Sequence, residues 1–388
     1  MKKRVLGKQD IIYHILIDRF AGFTEQKQYQ PSTEFIGGNL QGIIEKLPYL
    51  QKLGVDTLWI SPFYKSSAYH GYHITDFFSV DPHFGTEQDL TDLIDLVHQN
   101  NMHIITDFVP NHCSRLHPFF QEAQNYENSP YKDWFYFSDW PDSYQCFLSV
   151  SDLPKIDLNN PLARNHIIDA ALYWLNKGFD GFRLDHVIGP SNRFWKIFSE
   201  KIKASFPHCV LIGEAWMQGI SLNELKTVNL SWKYLKWLFG ASSDWLLKSY
   251  QGLLDGVLDF QGQQLIQQAI HSYKSRSTIQ HQLTHHYKHF DESYLLPLFL
   301  DNHDMDRILF QCGNDIKKLK KAATIQFSTS QPVIIYYGTE IGMSQQQSVW
   351  DQPMHGDVLA REPMQWHNIN EDIFSFYKQL INKRKENQ

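Results

Sequence analysis

The stretch GFDGFRLDHVIG, residues 178–189, carries the clearest indication of the fold of this chain. Within it an apolar run, 179–184, stops at the pair Asp185 and His186. Alternate residues of a strand share a face, so Arg183 and Asp185 are expected to point the same way. Polar side chains placed where a buried strand ends are typical of an active site at the carboxyl ends of parallel strands.

The same arrangement, an apolar run followed by polar residues, recurs along the chain. It accompanies the motifs Gly71-Tyr72, DFVPNH (107–112), GEAW (213–216) and FLDNHD (299–304). Helical stretches separate the apolar runs, which indicates parallel βαβ units and an α/β fold. Eight such strands predict a TIM (β/α)8 barrel. We predict these strands at 11–17, 55–60, 103–109, 179–184, 210–213, 256–260, 296–300 and 333–337.

Composition excludes several classes of protein. The 388 residues are 42% hydrophobic and carry a formal net charge of −6 without a long basic run, so nucleic acid is not an expected partner. The four cysteines stand alone, which argues against a zinc or redox site. The first apolar run is broken by His14 and Asp18 and is interpreted as a strand. Neither a signal peptide nor a membrane partner is expected, and scattered thiols favour a cytoplasmic location.

The spacing of the predicted elements divides the chain. Residues 1–112 would form the first part of the barrel, 113–160 an excursion, and 161–388 the remaining strands and helices. The excursion is too long for an ordinary loop and is expected to contain a little β structure. Residues 217–255 are expected to form additional helices. The chain ends soon after the last predicted helix, 373–383, so either a minimal barrel with one excursion or a truncated form of a longer chain is expected.

This last helix also suggests self-association. One helix on a single barrel wall cannot hide both faces of its apolar set, and a large exposed apolar patch usually marks an interface. We therefore predict a homodimer, with a monomer in which all six residues pack inward as the alternative. In the dimer a second copy would cover part of this set: Ile373, Phe374, Phe376, Tyr377, Leu380 and Ile381.

Two carboxylates at the ends of neighbouring predicted strands suit the hydrolysis of glycosides. A retaining enzyme needs one carboxylate as nucleophile and a second carboxyl group as proton donor. The guanidinium of Arg183 favours the ionised form of Asp185, as a nucleophile requires. The apolar residues around Glu214 favour its protonated form, as a proton donor requires. His303 and Asp304, at the end of the seventh predicted strand, are expected to bind sugar hydroxyls.

As a set, DFVPNH, GFRLDH, GEAW and FLDNHD resemble the four main sequence regions of the alpha-amylase family of glycoside hydrolases, over nearly the whole chain. REPMQW (361–366) is a further match. The resemblance implies a TIM barrel with a small domain B, here 113–160, inserted after strand three. It implies Asp185 as nucleophile, Glu214 as acid/base catalyst and Asp304 as stabiliser of the transition state, acting on an alpha-glucan or maltooligosaccharide. The substrate-binding residues that it implies are Tyr72, Asp107, His112, Arg183, His186, His303 and Arg307.

One departure from the family concerns its calcium site. Many alpha-amylases hold calcium through an asparagine like Asn111, an aspartate, and the carbonyl four residues after the nucleophile. In this chain Lys155 takes the place of the aspartate, and Gly189 is the fourth residue after Asp185. Calcium needs several oxygen ligands, so we predict that the Lys155 ammonium replaces the ion and that no metal or other cofactor is required. The Pro154-Lys155 pair also resembles the neopullulanase and cyclomaltodextrinase branch.

The sequence leaves several functions open. A 4-alpha-glucanotransferase or an alpha-glucosidase would share the glycosyl-enzyme intermediate of the hydrolase. A non-catalytic glucan-binding barrel is a remoter alternative, because fold does not fix function. A metal-dependent hydrolase built on His112, Asp185 and His303 lacks a closely spaced pair of ligands. His186 follows the nucleophile directly, at a position associated with linkage preference, so the choice between α-1,4 and α-1,6 bonds is open.

Overall fold

The structure, a computed structural model, describes residues 6–24, 30–217, 244–271, 275–351 and 356–386. Its strands are Ile11–Ile15 (β1), Thr57–Ile60 (β2), Tyr64–Ser66 (β3), Ile74–Val80 (β4), His103–Phe108 (β5), Phe137–Asp139 (β6), Ser143–Tyr144 (β7), Cys146–Phe147 (β8), Val150–Pro154 (β9), Gly181–Leu184 (β10), Val210–Gly213 (β11), Gly256–Val257 (β12) and Val333–Tyr336 (β13). Its helices are Ile17–Phe20 (α1), Leu40–Leu53 (α2), Glu87–Gln99 (α3), Pro118–Asn125 (α4), Pro161–Asn176 (α5), Asn192–Ser205 (α6), Asp244–Lys248 (α7), Phe260–His271 (α8), Arg276–Tyr287 (α9), Ile308–Gln311 (α10), Ile316–Phe327 (α11) and Glu371–Glu386 (α12).

Local sequence signals fix the ends of the long helices. The hydroxyl of Thr86 accepts the amide of Asp89, whose carboxylate accepts the amide of Thr86, so α3 begins with a capping box. The Asn160 side chain caps α5, which starts at Pro161, a residue suited to the first helical position. Helix α2 ends at Gly54, which has a left-handed backbone with φ of 99°. The helices between strands therefore start and stop where the sequence provides caps.

The described chain forms two compact units. The first comprises residues 62–82 and 105–257, and the second residues 6–61, 83–104 and 258–388. Most of the additional helices predicted within 217–255 fall at 218–243, which lies outside the described residues; α7 follows that range.

Parallel strands form the core of the first unit. Residues 105–108 of β5 pair with β10, β10 pairs with β11, and β11 pairs with β12. All residues of β10 and β11 are buried, as expected for parallel strands covered on both faces. In this register Arg183 lies between Asp107 and Ile212, and Leu184 lies between Phe108 and Gly213. The polar motifs therefore end their strands at the same level.

A close approach of two strands requires glycine at one position in this sheet. A Cβ atom on Gly181 would lie 2.1 Å from the carbonyl oxygen of Val210. Any larger residue would push β10 away from β11 at the start of the strand that carries Arg183. The close packing of β10 against β11 thus explains why the GFRLDH motif begins with glycine.

The second unit also contains parallel strands. Strand β1 pairs with β2 on one side and with β13 on the other. The seventh predicted strand, 296–300, is reduced to a single parallel bridge between Leu298 and Val333. Pro297 explains the reduction, because proline has no N–H to contribute to a strand ladder.

The segment 113–160 contains its own short elements. They are α4, the antiparallel pair β6 and β7, and the antiparallel pair β8 and β9. Two backbone bridges hold the last part of the segment in place. Lys155 pairs with His112, just before the segment, and Ile156 pairs with Phe135 in its middle. The segment therefore has the small amount of β structure expected from its sequence.

The last helix does not expose the apolar face that motivated the homodimer. Ile373, Phe374, Tyr377 and Ile381 are buried, and Phe376 and Leu380 are half-buried. The premise of the homodimer prediction is therefore wrong, and the homodimer itself stays a prediction. Among the described residues, every helix is too short or too polar to cross a lipid bilayer.

Candidate active site

One arginine gathers three carboxylates in the first unit. Arg183 is about 1% exposed, and its Nη1 donates to Asp185 Oδ1 at 2.9 Å. The same nitrogen pairs with Asp107, and Nη2 pairs with Glu214. Burial lowers the pKa of Arg183, but Asp107, Glu214 and Asp185 outweigh burial and hold the pKa well above its usual value. The guanidinium is therefore a fixed positive charge between the two carboxylates proposed from the sequence.

Backbone hydrogen bonds fix the positions of Asp185 and Glu214. The amide of Asp185 donates to the carbonyl of Phe108, and the amide of Glu214 donates to the carbonyl of Leu184, both at 2.9 Å. Each carboxylate is thus the first residue after its strand, and its amide extends the parallel ladder. Residues placed by a strand ladder have little freedom, which favours a precise site.

The surroundings of Glu214 are more polar than its neighbours in sequence suggest. Its Oε2 accepts the backbone amide of His186 at 3.1 Å, and its Oε1 pairs with Arg183. The prediction of an apolar setting for Glu214 is therefore wrong. His186 reaches this position with a left-handed backbone, φ of 45°, which is unusual for a residue other than glycine.

Two buried histidines flank a ring from the segment 113–160. Phe147 lies 4.7 Å from the ring of His112 and 4.7 Å from the ring of His186. Burial, and secondarily His73, lowers the pKa of His112 to about 3. Burial, followed by His112, Lys155 and Arg183, holds the pKa of His186 well below its usual value. Both imidazoles are therefore neutral at neutral pH and can each donate and accept a hydrogen bond.

Tyr72 lies beside a tight turn. Gly71 has φ of 86°, and a Cβ atom there would lie 2.0 Å from the carbonyl oxygen of Pro62. The amide of Tyr72 donates to Nδ1 of His70 at 3.2 Å, and the two rings are 5.6 Å apart. The tyrosine is half-buried.

Lys155 lies where the family's calcium would be expected. Its ammonium donates to the carbonyl oxygen of Gly189 at 3.1 Å, and a Cβ atom on Gly189 would lie 2.2 Å from Oδ1 of Asn111. Burial lowers the pKa of Lys155 to about 8, although Asp157 opposes the shift. Because an ammonium engages the carbonyl, these residues do not fit a calcium ion. Within the described ranges, no group of three or more His, Cys, Asp or Glu side chains could hold a metal.

The second unit contains a histidine, an aspartate and an arginine in mutual contact. Asp304 Oδ1 accepts from Nη2 of Arg361 at 2.8 Å, and its Oδ2 lies 3.0 Å from Nε2 of His303. Nε of Arg361 donates to the carbonyl of His303 at 2.7 Å. Arg361 was missed as a site residue, although REPMQW was noticed, because nothing in that motif predicts contact with FLDNHD.

Arg307 has a different environment from that expected of a sugar-binding residue. It is about 1% exposed, its Nε donates to the carbonyl of Ala360 at 2.9 Å, and its Nη1 bonds the carbonyl of Tyr337. The guanidinium also lies 4.1 Å from the ring of Tyr336. Arg307 therefore connects parts of the second unit, and its placement argues against direct contact with a sugar.

The alpha-amylase catalytic domain matches residues 14–388 of this chain. The chain belongs to the alpha-amylase family. Three relatives illustrate the range of names within it. "Alpha-amylase 2" of Dictyoglomus thermophilum is 36% identical over 98% of this chain and 63% of the relative. "Intracellular maltogenic amylase" of Bacillus subtilis is 30% identical over 98% and 62%, and "Neopullulanase 2" of Thermoactinomyces vulgaris is 31% identical over 97% and 63%.

A solved structure supports the fold. The alpha-amylase of Geobacillus thermoleovorans complexed with acarbose superposes with a TM-score of 0.78 at 28% identity, covering 97% of this chain and 79% of that chain. The (β/α)8 barrel predicted from the sequence is thereby confirmed. The chain spans somewhat less than two thirds of the length of the three relatives, between 62% and 63%.

Proposed function

We propose that this protein is a retaining glycoside hydrolase that cleaves α-glucosidic bonds in alpha-glucans or maltooligosaccharides. The observation that supports this most strongly is the grouping of Asp185 and Glu214 on one buried guanidinium, that of Arg183. Two carboxylates held close together suit the double-displacement mechanism, in which their separation is short. Family membership supplies the class of bond.

In the first step an oxygen of Asp185 bonds to the anomeric carbon while the glycosidic C–O bond breaks. Glu214 gives its proton to the departing oxygen, so the leaving sugar departs as an alcohol. In the second step Glu214 removes a proton from water, the water oxygen bonds to the anomeric carbon, and the bond to Asp185 breaks. Two inversions return the starting configuration.

Other residues are proposed to orient the catalytic carboxylates, to bind the sugar and to stabilise the charge that develops on it. Asp107 pairs with Arg183 and so holds the guanidinium that orients Asp185. His112 and His186, neutral because they are buried, suit hydrogen bonds to sugar hydroxyls without adding charge. We propose Asp304 as the stabiliser of the positive charge that develops on the sugar, with His303 binding hydroxyls and Tyr72 stacking on a ring. Arg361 would set the orientation of Asp304.

We further propose that the reaction needs no metal, because Lys155 supplies the positive charge at Gly189. A cytoplasmic location is supported by four free thiols and by the intracellular relative of Bacillus subtilis. Residues 113–160 are proposed as domain B.

The test is product analysis with stereochemistry. The protein is incubated with maltotriose, panose, pullulan, cyclodextrin and starch, and the products are separated by chromatography. Proton NMR of the first product should show the α-anomer, as retention requires. A first product of inverted configuration, or the absence of cleavage in all five substrates, would contradict the proposal. Products longer than the substrate would instead identify a glucanotransferase, and cleavage of panose at its α-1,6 bond would define the linkage preference.

A further inference from the structure

The first strand carries a buried histidine that no step of the proposed reaction uses. His14 is the fourth residue of β1 and is 0% exposed, and the rest of the strand is apolar or aromatic. Its neighbour Tyr13 donates to Oε1 of Glu340 at 2.7 Å, as does Tyr49 of helix α2 at 2.6 Å, so Tyr13 faces the helices. Successive side chains of a strand point to opposite faces. His14 therefore points to the inner face of the sheet.

Aromatic rings from both neighbouring strands hold the ring of His14. In the parallel register His14 is level with Trp59 of β2 and with Tyr336 of β13. The indole of Trp59 stacks on the imidazole, with ring centroids 3.7 Å apart and ring planes 9° apart. The ring of Tyr336 lies 5.1 Å from that of His14, and its hydroxyl donates to the carbonyl of Ala360 at 3.3 Å. Close packing of this kind leaves the imidazole little freedom to turn.

A third ring against His14 belongs to a residue of the proposed site. The rings of His14 and His303 are 5.0 Å apart and meet at 77°, which is an edge-to-face contact. His303 in turn places its Nε2 3.0 Å from Oδ2 of Asp304, whose other oxygen accepts from Arg361. Asp304 is therefore oriented from two sides, by Arg361 and by His303, and the ring of His303 rests against His14.

Packing alone does not account for an imidazole at this position. A phenylalanine ring could stack on Trp59 equally well, and it would avoid the free-energy cost of burying two ring nitrogens. A neutral imidazole differs from phenylalanine in having one N–H donor and one acceptor nitrogen. His303 has the same two groups, so a polar contact between the two rings would fix the direction in which the ring of His303 faces.

We propose that His14 is a positioning residue for the reaction: it fixes the ring of His303 and, through it, the second carboxylate oxygen of Asp304. This inference rests on the proposed function, in which Asp304 stabilises the charge that develops on the sugar. His14 is 0% exposed, so it acts through His303 and not by contact with the sugar. A residue that serves the transition state more than the bound substrate affects kcat more than KM.

The test is a double-mutant cycle that combines His14→Phe with His303→Ala. His14→Phe keeps a ring against Trp59 and removes both nitrogens. With maltotriose as substrate, we expect kcat to fall by about 10-fold to 100-fold, because small displacements of groups at the reacting centre are costly. KM should change by less than about threefold. In the His303→Ala protein the same substitution should lower kcat by less than about twofold more, since the residue through which His14 acts is gone.

The matched control is His103→Phe, which removes another buried imidazole. His103 is about 9% exposed and begins β5, and its amide donates to the carbonyl of Asp56, just before β2. It therefore lies at the amino-terminal ends of these strands, whereas His14 lies near the carboxyl-terminal end of β1. His103→Phe should leave kcat and KM within about twofold of the values for the unmodified protein.

His14→Gln keeps a polar side chain without a ring, and it replaces His14→Phe in the cycle if that variant does not fold. Its loss of kcat should likewise disappear in the His303→Ala protein. A kcat for His14→Phe that stays within about twofold of the unmodified protein would overturn the proposal. A loss that multiplies in full with that of His303→Ala would overturn it too, because His14 would then act independently of His303.

A crystal structure of the His14→Phe variant separates this inference from the proposed function. We expect Nε2 of His303 to move away from Oδ2 of Asp304 by roughly 1 Å. If the protein cleaves no α-glucoside, the proposed function fails, but a displaced His303 still supports the positioning role of His14. If the 3.0 Å contact is preserved in the variant, the positioning role is wrong whether or not the protein is a hydrolase.

Discussion

At the scale of single residues, the contacts of Glu214 decide how the proposed reaction can begin. One oxygen pairs with Arg183 and the other accepts the amide of His186. Both contacts favour the carboxylate over the acid, whereas the first step needs a proton on Glu214. A sugar that fills the site excludes water, and desolvation favours the neutral form of a carboxylic acid. We therefore expect substrate binding to promote protonation of this residue.

Glu214→Gln keeps the size of the side chain and removes the proton. We expect kcat on maltotriose to fall by about 10²–10⁴, because the leaving sugar must then depart without general acid catalysis. An aryl maltoside with a good leaving group needs less protonation, so formation of its glycosyl-enzyme should be slowed much less. Steady-state rates on maltotriose and burst kinetics on the aryl maltoside measure the two effects.

The matched control for this variant is Glu200→Gln. Glu200 lies on α6 of the same unit, and its side chain is 65% exposed. Its activity and melting temperature should match those of the unmodified protein. If Glu214→Gln cleaves maltotriose at a rate close to that of Glu200→Gln, another residue donates the proton.

Sequence reasoning located these residues but not their partners. Arg183 and Asp185 were predictable as neighbours because alternate positions of a strand share a face. The bond between His186 and Glu214 was not, since it depends on a left-handed backbone at His186 that no local pattern demands. The contact between Arg361 and Asp304 joins residues 57 positions apart, and only the folded chain brings them together.

At the scale of elements, Lys155 connects the end of β9 to the turn after β10. Its ammonium is bound to the carbonyl of Gly189, and the backbone of Ile156 donates to the carbonyl of Asn111 at 3.0 Å. The ammonium is buried, and its pKa of about 8 lies below the ordinary value of 10.5. At neutral pH the charged form is thus retained in the folded protein at a cost in free energy.

Lys155→Met should reveal this cost as a pH dependence. Between pH 8 and 10.5 the unfolded chain binds more protons at Lys155 than the folded protein does, so the stability contributed by this residue rises with pH. We expect the stability of the unmodified protein relative to Lys155→Met to increase across this window, by roughly 1.4 kcal/mol or less per pH unit. Urea unfolding of both proteins at several pH values measures the difference.

Lys132→Met is the control, because Lys132 lies in the same segment and its side chain is 29% exposed rather than buried. Its unfolding is measured over the same pH range. A chelator should also leave the activity and melting temperature of the unmodified protein unchanged, since the ammonium takes the cation's place. A difference for Lys155→Met that stays flat or falls as pH rises, or a chelator-induced loss restored by calcium, would contradict this role of Lys155.

Strands could be predicted where the apolar run in the sequence is continuous. They were harder to predict where a proline interrupts the hydrogen-bond ladder. Fully apolar runs such as 210–213 became strands with the predicted limits. The run 296–300 is equally apolar, but Pro297 lacks an N–H and only Leu298 forms a bridge. Hydrophobicity thus indicated where a strand would lie, and the missing donor decided how much of it formed.

At the scale of the whole molecule, the last helix packs its apolar residues inside the second unit and does not form an exposed apolar surface. Helix α12 packs against α11 and α2. Its apolar residues 373, 374, 377 and 381 repeat at spacings of three and four, so a single stripe faces inward. The sequence argument for a homodimer counted six apolar residues without their angular positions around the helix, which is why it overestimated the exposed surface.

We therefore expect α12 not to mediate self-association. Only Phe376 and Leu380 of the six are partly exposed, and one or two exposed apolar side chains are ordinary on a soluble surface. Leu380→Glu should leave the molar mass measured by light scattering unchanged across a dilution series, as should the neighbouring control Gln379→Glu, which adds the same charge at an exposed position of the same helix. A dimer mass at micromolar concentration that persists in Gln379→Glu and is lost in Leu380→Glu would return the interface to α12. A dimer mass that survives both substitutions would place any contact between copies on another surface, and would leave the assignment of α12 to the packing of its own unit intact.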